Sequence, residues 1–203
     1  MGFWDLFRAK SEPKWPSFED TYPLFGNTTP TFTLSNVVPA LVMTANIVAA
    51  TCASEKLIAF IEKEEGFVPV AVHDVDGVLI LGYGCKYING APVVFGQKIT
   101  REAAHEETVR HVKIYADVIV QAVKRPLRQG ELDALVDFVY NAGLGAFVHS
   151  TLLLTIRATT GFNSAVTEHL FTEWDKAHIH GVLTTLPNLL ARRKAEYQFW
   201  VSR

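Results

Sequence analysis

Two cysteines, Cys52 and Cys85, are all that the 203 residues contain. They are too few for a disulfide framework and do not form a C-x-x-C pair for a metal or a redox switch. A single bridge between them stays open, since nothing in the sequence fixes their separation. Metal-binding histidine spacing is also lacking. His105 and His111 do not make H-E-x-x-H, and His178 and His180 have no third ligand nearby, so these histidines read as surface or packing residues. No metal and no cofactor is expected. Excess charge of one sign is missing as well: 19 basic and 21 acidic residues give a net charge of -2. The basic run Arg192, Arg193 and Lys194 is of the kind that normally forms a solvated helix face. Phosphate binding needs a clustered basic surface, so no nucleic-acid role is expected.

Charge is absent altogether between Thr21 and Ser54. Within that segment Val37 to Ala53 is mostly aliphatic, but it is short for a membrane span of about 20 residues and is interrupted by Pro39, Thr44, Asn46 and Thr51. It starts too late, and without a basic flank, for a cleavable signal peptide. A helix with Leu41, Ala45, Val48 and Cys52 on one stripe fits better, packed on its own domain or inserted in a protein assembly. Ahead of it, Phe3, Trp4 and Phe7 lie at helical spacing before Pro13 and Pro16. This suggests a short amphipathic helix and an extended arm, docked on the chain's own core or anchoring it to a partner or membrane surface.

What is present is an ordinary globular composition, 49% hydrophobic and 20% charged, which excludes global disorder. The length suits one domain plus an extension. Residues 1–53 form the arm and apolar segment, and residues 54–203 the compact domain. Ser54 can cap a helix with Leu57, Ile58 and Ile61 on one face, ending near Glu65 and Gly66. Strands follow at Val68 to Val72 and Val78 to Tyr83, around a turn at Asp74 to Gly77. Thr100 caps a long helix running to about Lys124, and Pro126 ends it. Further helices are expected near Gln129 to Tyr140, Phe147 to Arg157, Asn163 to Lys176 and Pro187 to Val201.

The chemistry-bearing residues sit at the first helix end and on the hairpin. Glu65 faces a glycine-punctuated turn with a second carboxyl, Asp74, nine residues on. Two acids so placed are one way to flank a substrate. The segments Glu65-Gly66, Asp74-Val75-Asp76-Gly77 and Ile80-Leu81-Gly82-Tyr83-Gly84 resemble, in order and spacing, the signature of the phage-type lysozyme family, the muramidase endolysins. Leu135 to Gly143, Ala146-Phe147, Ser150 to Leu153, Trp174 and Leu189 to Glu196 resemble its later segments.

The resemblance implies an α+β lysozyme-like fold, a small β lobe near residues 67 to 95 joined to a larger helical lobe, here with an N-terminal extension. It implies a peptidoglycan substrate cut between N-acetylmuramic acid and N-acetylglucosamine. Glu65 would protonate the leaving oxygen and Asp74 would stabilise the sugar or orient water, while Asn141 and Tyr83 would contact substrate. Arg192 or Arg193 would pair with the Glu65 helix, Trp174 would be core, and Asp76 a turn former. A phage-encoded protein acting in the host periplasm or on the cell wall is implied, with residues 1–53 a candidate virion or membrane-surface contact. Signal-anchor-release lysins also use weak apolar segments, but at the start of the chain.

The departures cluster on the hairpin. The family's threonine, six residues after the aspartate, is Ile80, which can neither donate nor accept a hydrogen bond. Its histidine after Gly-Tyr-Gly is Cys85, read as a small apolar filler, and its aromatic before the aspartate is Val72. Three outcomes stay open: slower hydrolysis, lytic transglycosylation by the muramic acid's own 6-hydroxyl, or a degenerate lysozyme fold serving as a structural part of a virion or secretion particle.

Overall fold

The computed structural model describes residues 50–74, 77–158, 164–179 and 182–202. The aromatic arm, residues 37–49 of the apolar segment, Asp76 and His180 lie outside the described residues. Where the apolar segment enters them, Ala50 to Ala53 are not helical, so the expected stripe does not reach Cys52. The backbone there is tied down instead: the Ala50 N–H donates to the Leu127 carbonyl at 2.9 Å, and Gln129 Nε2 donates to the Cys52 carbonyl at 3.0 Å.

Ser54 starts helix α1 (Glu55–Glu65), its hydroxyl accepting from the Leu57 N–H. The same hydroxyl donates to Asp133 at 2.6 Å, so the cap is anchored to a distant helix as well as to its own first turn. Leu57, Ile58, Ile61 and Glu65 make up the buried face. Gly66 closes the helix at φ 69°, a left-handed conformation that glycine adopts without the steric cost other residues meet.

An antiparallel hairpin follows, β1 (Val68–His73) and β2 (Leu79–Gly82), then the two-residue strands β3 (Tyr87–Ile88) and β4 (Ala91–Pro92). Alternation along β2 sends Leu79 and Leu81 into a small cluster with Ala71, Ile88, Val93 and Ile99. Ile80 points to the opposite face and pairs across the ladder with Val72.

Helix α2 (Arg101–Val123) joins this β lobe to the helical lobe. Thr100 caps it as expected, and Lys124 ends it in the left-handed region at φ 60°. Helix α3 (Gln129–Ala142) is buried from Gly130 to Val139. It packs on α7 (Pro187–Val201) so closely that a Cβ on Gly130 would sit 2.1 Å from the Phe199 carbonyl oxygen, space only glycine leaves. Phe138 of α3 meets the rings of Phe147, Phe171 and Trp174 edge-on at 6.3, 6.1 and 5.3 Å. Trp174 is thus a half-buried wall of this core rather than its centre.

Two helix boundaries differ from expectation. The single helix expected at Phe147 to Arg157 is two, α4 (Leu144–Val148) and α5 (Thr151–Ala158). Ser150 breaks it by acting as a cap: its hydroxyl accepts from the Leu153 N–H and donates to the Phe147 carbonyl. Helix α6 (Ser164–Thr172) stops before Lys176, and a hairpin of β5 (Lys176–Ile179) and β6 (Val182–Thr185) takes up the rest. His178 lies in β5. Among the described residues no helix is long and apolar enough to cross a membrane, and no group of acidic, histidine or cysteine side chains could hold a metal.

Candidate active site

Glu65 is at the last position of α1, where the helix delivers it toward α3 and α7. Its side chain is 1% exposed, and Arg192 Nη1 of α7 donates to Oε1 at 2.7 Å. Arg192 does not serve Glu65 alone. It grips Asp137 of α3 through two parallel bonds, Nε to Oδ2 at 3.0 Å and Nη2 to Oδ1 at 2.8 Å. Two carboxyls therefore share one guanidinium, and Asp137 holds the bidentate end.

The sharing pushes the two acids apart. Burial raises the Glu65 carboxyl from 4.5 to about 7, against the lowering influence of its single bond to Arg192, and the neighbouring charges of Asp137 and Glu64 add to the rise. Burial would raise Asp137 as well, but its paired bonds to Arg192 and the charge of Arg193 hold it below the ordinary range. One carboxyl is a proton carrier near neutrality and the other a fixed anion, the separation that acid catalysis needs.

Arg193 points the other way round the same helix. It stacks on the Phe138 ring 5.1 Å from its centroid, donates from Nη2 to Asn141 Oδ1 at 2.7 Å, and lies 2.6 Å from Glu196 Oε1. Arg192 and Arg193 are each 1% exposed, so the expectation of a solvated basic face is wrong for both. Buried carboxylates on α1, α3 and α7 itself draw them inward. The expected pairing of an arginine with the Glu65 helix holds, through Arg192.

Asp74 stands at the hairpin turn, 9% exposed. Its carboxylate Oδ1 accepts from the Val78 N–H at 3.1 Å, and its own N–H donates to the Val78 carbonyl at 2.9 Å, so the turn that carries it also fixes its direction. Ile80 is 1% exposed, a sealed apolar side chain on the strand leading away from Asp74. Tyr83 is buried, and its carbonyl accepts from the Tyr140 hydroxyl at 2.7 Å, which ties the Gly82 to Gly84 turn to α3. Cys85 and Cys52 are both free thiols. Burial pushes the Cys85 thiol up to about 12, which suits a filler and not a nucleophile.

Residues 62–196 match the family described as phage lysozyme. The chain belongs to that family. As a member it is a peptidoglycan-cleaving glycosidase of the lysozyme type. It is 33% identical over 143 residues to the endolysin of Acyrthosiphon pisum secondary endosymbiont phage 1, covering 70% of this chain and 93% of that one. It is 30% identical, again over 143 residues, to the endolysin of Salmonella phage P22, covering 70% and 92%. Among solved structures, the endolysin from Escherichia coli O157:H7 phage FAHEc1 superposes with a TM-score of 0.65 at 32% identity, covering 73% of this chain and 92% of that one. The expected mixed α+β lysozyme-like fold is therefore the fold of this family member.

The structure gathers Glu65 and Asn141 about the arginine pair of α7, while Asp74 and Ile80 lie on the hairpin. Two buried charges of that ensemble, Asp137 and Glu196, escaped the sequence reading. A signal for the first exists: Asp137 interrupts the run Leu132 to Tyr140, where an unpaired carboxyl in a buried helix would be prohibitively costly. Its partner lies 55 residues away, beyond the reach of local spacing.

Proposed function

We propose that Glu65 is the general acid of a muramidase that cuts the bond between N-acetylmuramic acid and N-acetylglucosamine. The supporting observation is a buried carboxyl raised to about 7 at the end of α1, beside an arginine whose stronger grip is on a different acid. With Oε1 accepting from Arg192, the acidic proton sits on Oε2, which would deliver it to the departing glycosidic oxygen. Asp74 acts on the opposite side of the sugar, stabilising developing positive charge or orienting water. Asn141, oriented by Arg193, and Tyr83 contact the glycan. Residues 54–203 make up the catalytic unit, and residues 1–53 hold it to a virion or membrane surface. The resemblance to phage endolysins supports a phage-encoded protein working on the host wall from the periplasm.

A second route at the same site is favoured by Ile80. A fully buried isoleucine where a hydroxyl would help hold the attacking water removes one hydrogen-bonding group from the second half of the reaction. If the muramic acid's 6-hydroxyl attacks in place of water, a 1,6-anhydro product forms and little beyond the acid is required. Digestion of purified sacculi followed by muropeptide chromatography decides between these. Reducing ends are expected from hydrolysis and anhydro ends from transglycosylation, whereas intact sacculi under conditions where a family endolysin digests them would sink both and leave a structural role.

A further inference from the structure

The turn at the end of β2, residues 82–84, is held by two helices at once. Leu81 and Cys85 exchange both backbone hydrogen bonds at 2.9 Å, so the three residues between them form a closed turn. Gly82 lies so near α2 that a Cβ there would meet the Ala104 Cβ at 3.0 Å, and its φ of 66° favours glycine as well. On the other flank the hydroxyl of Tyr140, from α3, donates to the Tyr83 carbonyl at 2.7 Å. The Cys85 Sγ lies 3.8 Å from the same hydroxyl oxygen. Burial raises the Tyr140 phenol well above its ordinary range, so it stays a donor at every working pH.

Tyr140 follows Asp137 by three residues, and positions three apart share a helix face. Asp137 takes the paired bonds of Arg192, whose Nη1 reaches Glu65. The same side of α3 therefore carries one contact that leads to the acid and another that leads to the hairpin. From the held turn, β2 runs back to Val78, whose N–H donates to Asp74.

We propose that Tyr140 is a positioning residue for the glycan-cleaving reaction: its hydroxyl, bound to the Tyr83 carbonyl, sets the place of Asp74 relative to Glu65. The inference rests on the reading of Glu65 and Asp74 as the acting pair, and Tyr140 touches no reacting atom in it. Leverage gives the bond its weight. Four residues of strand span about 13 Å, so a tilt of about 5° at the turn carries Asp74 about 1 Å. A misplacement of that size can cost about a hundredfold in rate. The backbone bonds from Ala71 to Gln97 and from Ile99 to Pro69 do not replace the tie, because they join β1 to a neighbouring segment of the β lobe, which moves with it.

Tyr140→Phe on the full chain keeps the ring and removes the donor. On purified sacculi kcat should fall about tenfold or more, while KM changes less than about threefold. The deciding measurement is the same substitution combined with Asp74→Asn. With that carboxylate gone its placement ceases to matter, so the cost of Tyr140→Phe should shrink to less than about twofold. A folded Tyr140→Phe variant with kcat within about twofold of the unaltered protein overturns the inference, and so does a loss of equal size in both backgrounds. One further measurement needs no variant. In the unaltered protein the Tyr140 hydroxyl proton should exchange slowly enough to split the resonance of its ring carbon in mixed light and heavy water, and exchange at the bulk rate overturns the inference whether or not the variant folds. Asp74→Asn alone separates the claims: full activity there would remove the reading of the acting pair and this inference with it, whereas a reduced rate keeps the pair and leaves the combined variant to decide on Tyr140.

Discussion

The two parts of the candidate site, a helical side and a hairpin side, are built from opposite materials. On the helical side Glu65 of α1 rests on a buried lattice of two arginines and two further carboxyls, drawn from two other helices. On the hairpin side Asp74 is fixed by its own turn, and next along β2 comes Ile80, paired with Val72. One side sets the protonation of an acid through long-range contacts. The other holds a carboxylate in place by local geometry and adds hydrocarbon. On the proposed function, bond cleavage and the attack that follows would depend on separable parts of the chain, and substitutions on the two sides should have different signatures.

Glu65→Gln is expected to have the largest effect on activity, a loss of about a thousandfold or more in kcat on sacculi, since loss of a positioned acid typically costs two to four orders of magnitude. The same variant should gain stability, and only at high pH. A carboxyl raised to about 7 from 4.5 binds its proton more tightly in the folded state. That contribution is whole below pH 4.5 and is lost as pH rises through 7, an amount of about 3 kcal/mol by linkage. Glutamine cannot ionise, so denaturant melts should coincide near pH 4 and favour the variant by up to about 3 kcal/mol at pH 8. Parallel stability curves across that range would mean that Glu65 is not raised.

Asp137→Asn comes next. It strips Arg192 of its bidentate partner and should destabilise the fold by about 3 to 5 kcal/mol, the range for breaking a buried ion pair on one side. Arg192 then bears more strongly on Glu65, so the alkaline limb of activity should move toward acid in whatever fraction folds. A melt within about 1 kcal/mol of the unaltered protein would show that the lattice is not holding the helical side together. Asp74→Asn, on the other side, should keep the turn, because its Oδ1 atom can still accept from the Val78 N–H. Its expected cost in turnover is roughly tenfold to a hundredfold.

How far each side was legible in the sequence follows from the same contrast. Glu65, Asp74 and Ile80 stand out through the resemblance to the family signature, whereas the caps Ser54 and Thr100 are visible because each is set by neighbours within a few residues, which is the reach of helix ends. Ser150 is equally local, but a serine suits a helix interior as well as a cap, so the spacing alone predicts a continuous helix. The lattice was legible only in part. Arg192 could be placed against the Glu65 helix by resemblance, yet Asp137 and Glu196 could not, because burial of a charge depends on where a distant partner lies. The β5 and β6 hairpin leaves little trace in the sequence for a related reason: short strands of mixed composition lack the alternation that marks a half-buried sheet.

Ile80→Thr is expected to have the smallest effect and bears most directly on the hairpin side. The substitution removes buried hydrocarbon and places a hydroxyl where the side chain is 1% exposed, so a stability loss of about 1 to 3 kcal/mol is expected. If water is the natural nucleophile and merely poorly held, the new hydroxyl should raise turnover, by up to about tenfold, with more reducing ends in the muropeptide chromatogram. If the muramic acid 6-hydroxyl is the nucleophile, turnover should stay level while the ratio of anhydro to reducing ends falls. Neither change, in a variant whose Glu65 still titrates near 7, would place the limit of the hairpin side in Asp74 or in access of the substrate. The contrast between the two sides would then lie in their shape more than in the missing hydrogen bond.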